Sequence, residues 1–222
     1  MRSLRLACFL LASCALLAQP SSTSRITFEQ RWPASNPQWF EIVIHPDGSA
    51  KYRSLPHQES NSSADDPAAE PYECSFTLSP RSQQLVFAAA PKLSGFQSSL
   101  DKIKVAYTGS KTLRYEDGAG GSSFISYNYS SSPELSGVTA LMQAISETIE
   151  RSQTLLFQAR FNKLALDSTL KDAETLLSPG RLPEPQLLEP TLRRIADDPT
   201  IMNIARQRAR QILQAPQMKK NK

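Results

Sequence analysis

The chain has 222 residues and a formal net charge of +4, from 25 lysines and arginines against 21 aspartates and glutamates. The excess sits at the ends, with Arg2 and Arg5 opening the chain and Lys219, Lys220 and Lys222 closing it, so the body is close to neutral. Such a body lacks the basic face that nucleic-acid binding requires. Of the three cysteines, only Cys74 lies outside the opening apolar stretch, which excludes an internal disulfide framework.

Arg2 and Arg5 precede an uncharged apolar run from Leu6 to Ala18, the layout of an export signal and too short to span a bilayer. The protein is therefore expected to act outside the cytoplasm of a bacterium, in the periplasm or beyond the cell. Two processing routes stay open. Cleavage after Ala18 makes residues 1–18 a signal peptide and releases a soluble product. Leu11, Ala12, Ser13 and Cys14 instead match a lipoprotein signal, in which Cys14 is lipidated and the membrane becomes a partner through the acyl chain.

After a polar spacer the pattern turns to period two, and residues 25–150 read as an α+β sheet domain. Strands are predicted over Arg25–Arg31, Trp39–Ile44 and Ala50–Arg53, with Asp47-Gly48 as a hairpin reversal between the last two. From about Pro56 to Pro71 the chain is polar and aperiodic, a surface loop. A strand over Tyr72–Leu78 leads into Ser79 and Pro80, the cap and first residue of a helix carrying Leu85, Val86, Ala89 and Leu93. Further strands are expected over Lys102–Tyr107, Lys111–Asp117 and Ser122–Tyr129, turned by Gly109 and the Gly118–Gly121 cluster. Strands joined largely by hairpins imply an antiparallel sheet with helix packed on one face.

Ser132 and Pro133 repeat the cap-and-proline start and open a seam at spacings of three and four: Leu135, Val138, Met142, Ile145, Ile149, Ser152, Leu156, Ala159, Lys163, Leu166, Leu170, Ala173 and Leu177. An unbroken helix of that length would reach roughly 65 Å, so it must project or bend. After a Pro- and Gly-bearing turn from Ser178 to Pro185, one short helix carries Leu187, Leu188, Leu192, Ile195 and Ala196. Asp198 and Pro199 then cap a last helix carrying Ile201, Ile204, Ala205, Ala209, Ile212 and Leu213. Residues 151–215 are thus expected to form a helical extension or subdomain, and residues 216–222 a basic disordered tail.

The residues that could carry chemistry each have a plainer role. His45, Pro46 and Asp47 build the hairpin turn; His57 has no companion at zinc-ligand spacing; Asp65 and Asp66 lack the glycine and distal glutamate of a calcium loop. Gly118–Gly121 is neither a phosphate loop nor a serine-hydrolase elbow. Cys74 reads as an inert strand residue, and the strand aromatics Trp39, Tyr115 and Tyr127 as cross-strand packing. No catalytic, cofactor-binding or metal-ligating residue is assigned. Arg208 falls inside the apolar arc of the last helix, which calls for an internal carboxylate among Asp197, Asp198, Glu184 and Glu189, or else for an acidic partner.

The export signal, the strand opening at Ile26–Glu29, the hairpin at Pro46-Asp47-Gly48 and the closing Ile201–Leu213 helix together resemble exported bacterial α+β proteins with a C-terminal helical segment. That resemblance is general and implies no activity, cofactor or site residue. The expected function is a non-catalytic envelope or secreted interaction module, contacting a protein partner through the long helix at Ile149 and Leu156 and through Arg208. The alternatives are an exported hydrolase whose carboxylates, such as Glu116 and Asp117, converge only in space, and a lipid-anchored accessory subunit pairing through the long helix.

Overall fold

Alternating burial builds the sheet. In β1 (Arg25–Arg31) and β2 (Trp39–Ile44) every second side chain is buried, Ile26, Phe28 and Gln30 on one and Phe40, Ile42 and Ile44 on the other. The computed structural model describes residues 24–55, 71–95, 107–177, 181–215 and 218. Four further strands are β3 (Ser49–Leu55), β4 (Tyr72–Thr77), β5 (Ser110–Glu116) and β6 (Ser122–Tyr127). They form one six-stranded sheet in the order β4-β3-β2-β1-β5-β6, with every pair antiparallel. The fold is α+β, as the alternation predicts.

The hairpin at His45–Gly48 closes with Gly48 N–H donating to the His45 carbonyl at 3.0 Å. Only Gly48 there has positive φ, at 83°, while the Asp47 carboxylate accepts the N–H and hydroxyl of Ser49. The turn glycine thus supplies the left-handed residue and the aspartate pins the chain behind it.

Register aligns Cys74, Tyr52, Ile42, Phe28, Leu113 and Ile125 in one row across the covered face. The next row, Tyr72, Ser54, Phe40, Gln30, Lys111 and Tyr127, is mostly polar. Above these rows lie α1 (Pro80–Ala89), a 3-10 turn over Ala90–Gly95, and the first part of α2 (Pro133–Phe161). Ser79 and Ser132 cap α1 and α2, each accepting an N–H three residues on, with proline following. Leu85, expected on the packed side of α1, is 43% exposed; Val86, Ala89 and Leu93 carry that face.

Hydrogen bonds tie α2 to the sheet along its length, in the order Thr139 to Tyr127, Gln143 to Gln30, Ser146 and Glu150 to Tyr52, and Gln153 to Tyr72. The helix therefore crosses the strands from β6 to the opposite edge at β4. Its last two turns continue past that edge into a second core.

The predicted long helix bends. Asn162 leaves the helical conformation and its N–H closes on Gln158 O, after which α3 (Leu166–Leu177) starts as a separate helix. Lys163, the polar interruption of the seam, sits at this corner and donates to the carbonyl and hydroxyl of Thr200. The inward position of the overhanging part of α2 is taken by Leu155, fully buried, and not by Leu156. A 3-10 turn over Pro185–Leu188 leads into α4 (Glu189–Asp197), and α5 (Asn203–Gln214) packs on α3 and α4.

This second core holds Leu155, Leu170, Leu188, Leu192, Ile195 and Ile212 among others. The last helix begins later than expected. Asp198 accepts the N–H and hydroxyl of Thr200 and shapes a turn, Ile201 is buried before the helix, and Ile204 is 54% exposed. Met218, within the segment read as a solvated tail, is buried here because an apolar side chain gains by packing on this core. Residues 1–18 with Cys14, the loop over 56–70, positions 102–106 of one predicted strand and the three tail lysines lie outside the described residues; Tyr107 is in no strand.

Candidate functional site

Where α2 passes the sheet edge, a groove of about 760 Å3 opens between β4 on one side and α2 and α4 on the other. Tyr72, Cys74 and Phe76 line its sheet wall, Ile149 and Leu156 its α2 wall, and Leu187 stands at the entry to α4. Ser75 and Thr77, which point the other way along β4, border it too, so the cavity wraps around the strand edge. This wall is mainly apolar, and a concave apolar surface with a few fixed polar groups is what ligand sites offer.

Those polar groups are held in place. Gln153 donates to the Tyr72 hydroxyl at 2.6 Å; outside the lining, Glu150 ties α2 to β3 by accepting from Tyr52 at 2.8 Å and Ser54 at 3.0 Å. Ser152 and Thr191 share a hydrogen bond of 2.7 Å across the joint between α2 and α4. Burial pushes the Tyr72 hydroxyl well above its ordinary range, with Cys74 adding to the shift. Burial likewise raises the Cys74 thiol, against the opposing effect of its hydrogen bond with Tyr72. A thiol in that state is a small, weakly polar wall group and a poor nucleophile.

No protein-family model, curated protein or solved structure matches the chain.

Of the residues singled out by sequence, Leu156 is half-buried on the groove wall, whereas Ile149 is 4% exposed and belongs to the sheet core. The front half of the seam is thus consumed inside the chain. Arg208 donates to Asp167 at 2.8 Å and to Glu174 at 3.0 Å, both on α3, so the internal ion pair forms with different carboxylates from those expected. Three of the expected four are used elsewhere: Glu189 pairs with Arg193, Asp198 accepts from Thr200, and Glu184 is wholly buried against Ser79 and Ser82. Cys14 is outside the described residues.

Glu116 and Asp117 do not form a carboxylate pair of the kind a hydrolase uses. Arg25 donates to Glu116, and this hydrogen bond holds the Glu116 carboxyl below its usual range. Asp117 accepts the N–H groups of Ala119 and Gly121 and so shapes the β5–β6 turn. A hollow of about 700 Å3 gathers Arg25, His45 and Glu116, yet a carboxylate fixed as an ionised partner of arginine is a weak general acid. Among the described residues, no group of three or more His, Cys, Asp or Glu could hold a metal ion, and no helix is long and apolar enough to cross a membrane.

The groove was missed by sequence reasoning because its walls come from distant segments. The alternation Tyr72, Cys74, Phe76 looks like any half-buried strand. What makes it a site is its position at the sheet edge, and local sequence does not report pairing order.

Proposed function

We propose that the protein is an exported, non-catalytic interaction module whose binding surface is the groove beside β4. The observation that carries this reading is the conjunction of an apolar cavity of about 760 Å3 with a strand edge that has no second neighbour among the described residues. The apolar run behind Arg2 and Arg5 supports delivery to the periplasm or the medium. Acylation of Cys14 would hold the same module at a membrane surface as an accessory subunit, without altering the groove.

Of the two residues on the α2 wall, Leu156 is the contact residue on the long helix, since it is half-buried in the groove while Ile149 is almost wholly buried and packs in the sheet core. A photo-reactive amino acid placed at Leu156 tests the reading in living cells. Irradiation is expected to give a covalent adduct with another protein, while the same group at exposed Lys171 on α3 gives none. The proposal fails if position 156 yields no adduct. Recovery of the protein from the cytosol with Met1 retained would overturn export separately, and a Cys14→Ser variant that stays in the membrane fraction would remove the lipid anchor.

A further inference from the structure

We infer that an extended peptide segment of another protein adds to β4 as a seventh strand, its alternate side chains entering the apolar groove. This rests on the interaction reading above and specifies the occupant of that site.

The ladder parity of β4 comes from one bond at its end. Leu78 N–H donates to Gly48 O at 2.9 Å, in step with the register that pairs Ser49 with Thr77. Antiparallel pairs alternate between hydrogen-bonded and non-hydrogen-bonded. Phe76, Cys74 and Tyr72 therefore exchange their backbone bonds with Ala50, Tyr52 and Ser54 of β3. The N–H and C=O groups of Glu73, Ser75 and Thr77 consequently face away from the sheet, into the side on which the groove lies.

A row of outward donors and acceptors at strand spacing is complementary to one chemistry above others, another polypeptide backbone in extended form. The six residues of β4 offer about 20 Å of such edge. Side chains of an added strand would alternate in the same way as those of β4. One set would lie beside Tyr72, Cys74 and Phe76 and enter the cavity against Leu156 and Leu187; the other would lie beside Glu73 on the open face, where Lys51 and Arg53 pair with that glutamate. The occupant is thus a short segment alternating apolar and polar residues.

The far wall of the groove distinguishes a free peptide from a second copy of the chain. Leu156 on α2 and Pro190 and Arg193 on α4 stand across from β4. A slot bounded by a strand on one side and helices on the other accepts a strand with both edges free. The β4 of a second copy carries the rest of its sheet on one edge.

The test uses peptides selected from a displayed random heptapeptide library on the chain lacking residues 1–18, then synthesised. On binding, amide exchange is expected to slow about tenfold or more at Glu73, Ser75 and Thr77, with little change at Tyr72, Cys74 and Phe76. Ser75→Pro removes an outward N–H while sparing the β3–β4 ladder, and should weaken binding about tenfold or more at an unchanged unfolding midpoint. N-methylation of the peptide should abolish binding at every second amide and be tolerated at those between.

A peptide that Leu156→Asp weakens, but for which neither Ser75→Pro nor N-methylation shows this parity, would leave the groove as an interaction site and overturn strand addition. Absence of any selected binder, or binding indifferent to Leu156→Asp, would overturn both. Self-association abolished by Ser75→Pro would put a second copy at the edge and overturn the peptide. If Ser75→Pro lowers the unfolding midpoint, the N-methyl series decides alone.

Discussion

The carboxylate of Glu184 accepts the backbone N–H of Ser79 at 2.8 Å and its hydroxyl at 2.7 Å, across 105 positions of chain. The Ser82 hydroxyl and the Gln186 amide complete its shell, and the side chain is wholly buried. The negative group thus sits at the start of α1, where unsatisfied N–H groups and the helix dipole favour it. It fastens the segment leading into α4 to a helix of the sheet core.

Removing that carboxylate leaves buried donors without a partner, the most damaging kind of polar deletion. Glu184→Ala is expected to destabilise by about 3 kcal/mol, which for a chain of this size lowers the thermal midpoint by roughly 6–12 °C. Glu184→Gln, which keeps one oxygen acceptor, should lose about half as much. Circular dichroism melts check this, and a shift below about 2 °C for the alanine variant would contradict the clasp.

Ile149 and Leu156, both placed on one seam by their spacing, should respond differently to truncation. Ile149→Ala opens a cavity in the sheet core and should lower unfolding free energy by about 3 kcal/mol. Leu156→Ala, on the groove wall, should lower it by less than about 1 kcal/mol. Urea unfolding of the two variants separates core from surface; equal losses would mean that the groove wall is structural.

Glu134, at the start of α2, is held at about 2 by hydrogen bonds from Lys92 first, then its own backbone N–H and Ser132, against an ordinary 4.5. Because the folded value is the lower one, folding favours the ionised form. The stabilisation is complete above about 4.5 and drains away as pH falls towards 2. The difference in midpoint between the wild type and Glu134→Gln should therefore be constant near neutrality and shrink through that window. A difference that does not vary between pH 6 and pH 2 would contradict it.

Cys74 should alkylate slowly, since burial raises its thiol and keeps the reactive thiolate scarce. Mass mapping after iodoacetamide at pH 8 should find Cys74 modified well behind a cysteine introduced at exposed Lys171. Tyr72→Phe removes the hydroxyl that favours the thiolate and should slow it further. Reaction of Cys74 at the rate of the exposed control would contradict a half-buried thiol held in its protonated form.

Local signals in the sequence carried the strands and caps. The alternations Ile26/Phe28 and Phe40/Ile42/Ile44 are unbroken, so β1 and β2 begin and end where predicted, and Ser79-Pro80 and Ser132-Pro133 start their helices as read. Spacing of three and four was less decisive. It continues through Lys163 and Leu166 without registering the turn at Asn162, and it places Leu156 on the seam where the core takes the adjacent Leu155, Leu156 lying on the groove wall. Arg208 was recognisable as needing an acid, but its partners Asp167 and Glu174 depend on how α5 lies on α3. The groove depended on still longer range, since only the order β4-β3-β2-β1-β5-β6 makes Tyr72–Thr77 an edge.

Because α2 runs unbroken from the sheet into the three-helix packing and Glu184 rivets the two halves again, tilting one half means flexing a continuous rod and extracting a buried anion. The molecule should consequently transmit force as one lever, so that a load borne by the C-terminal helices is felt at the mouth of the groove.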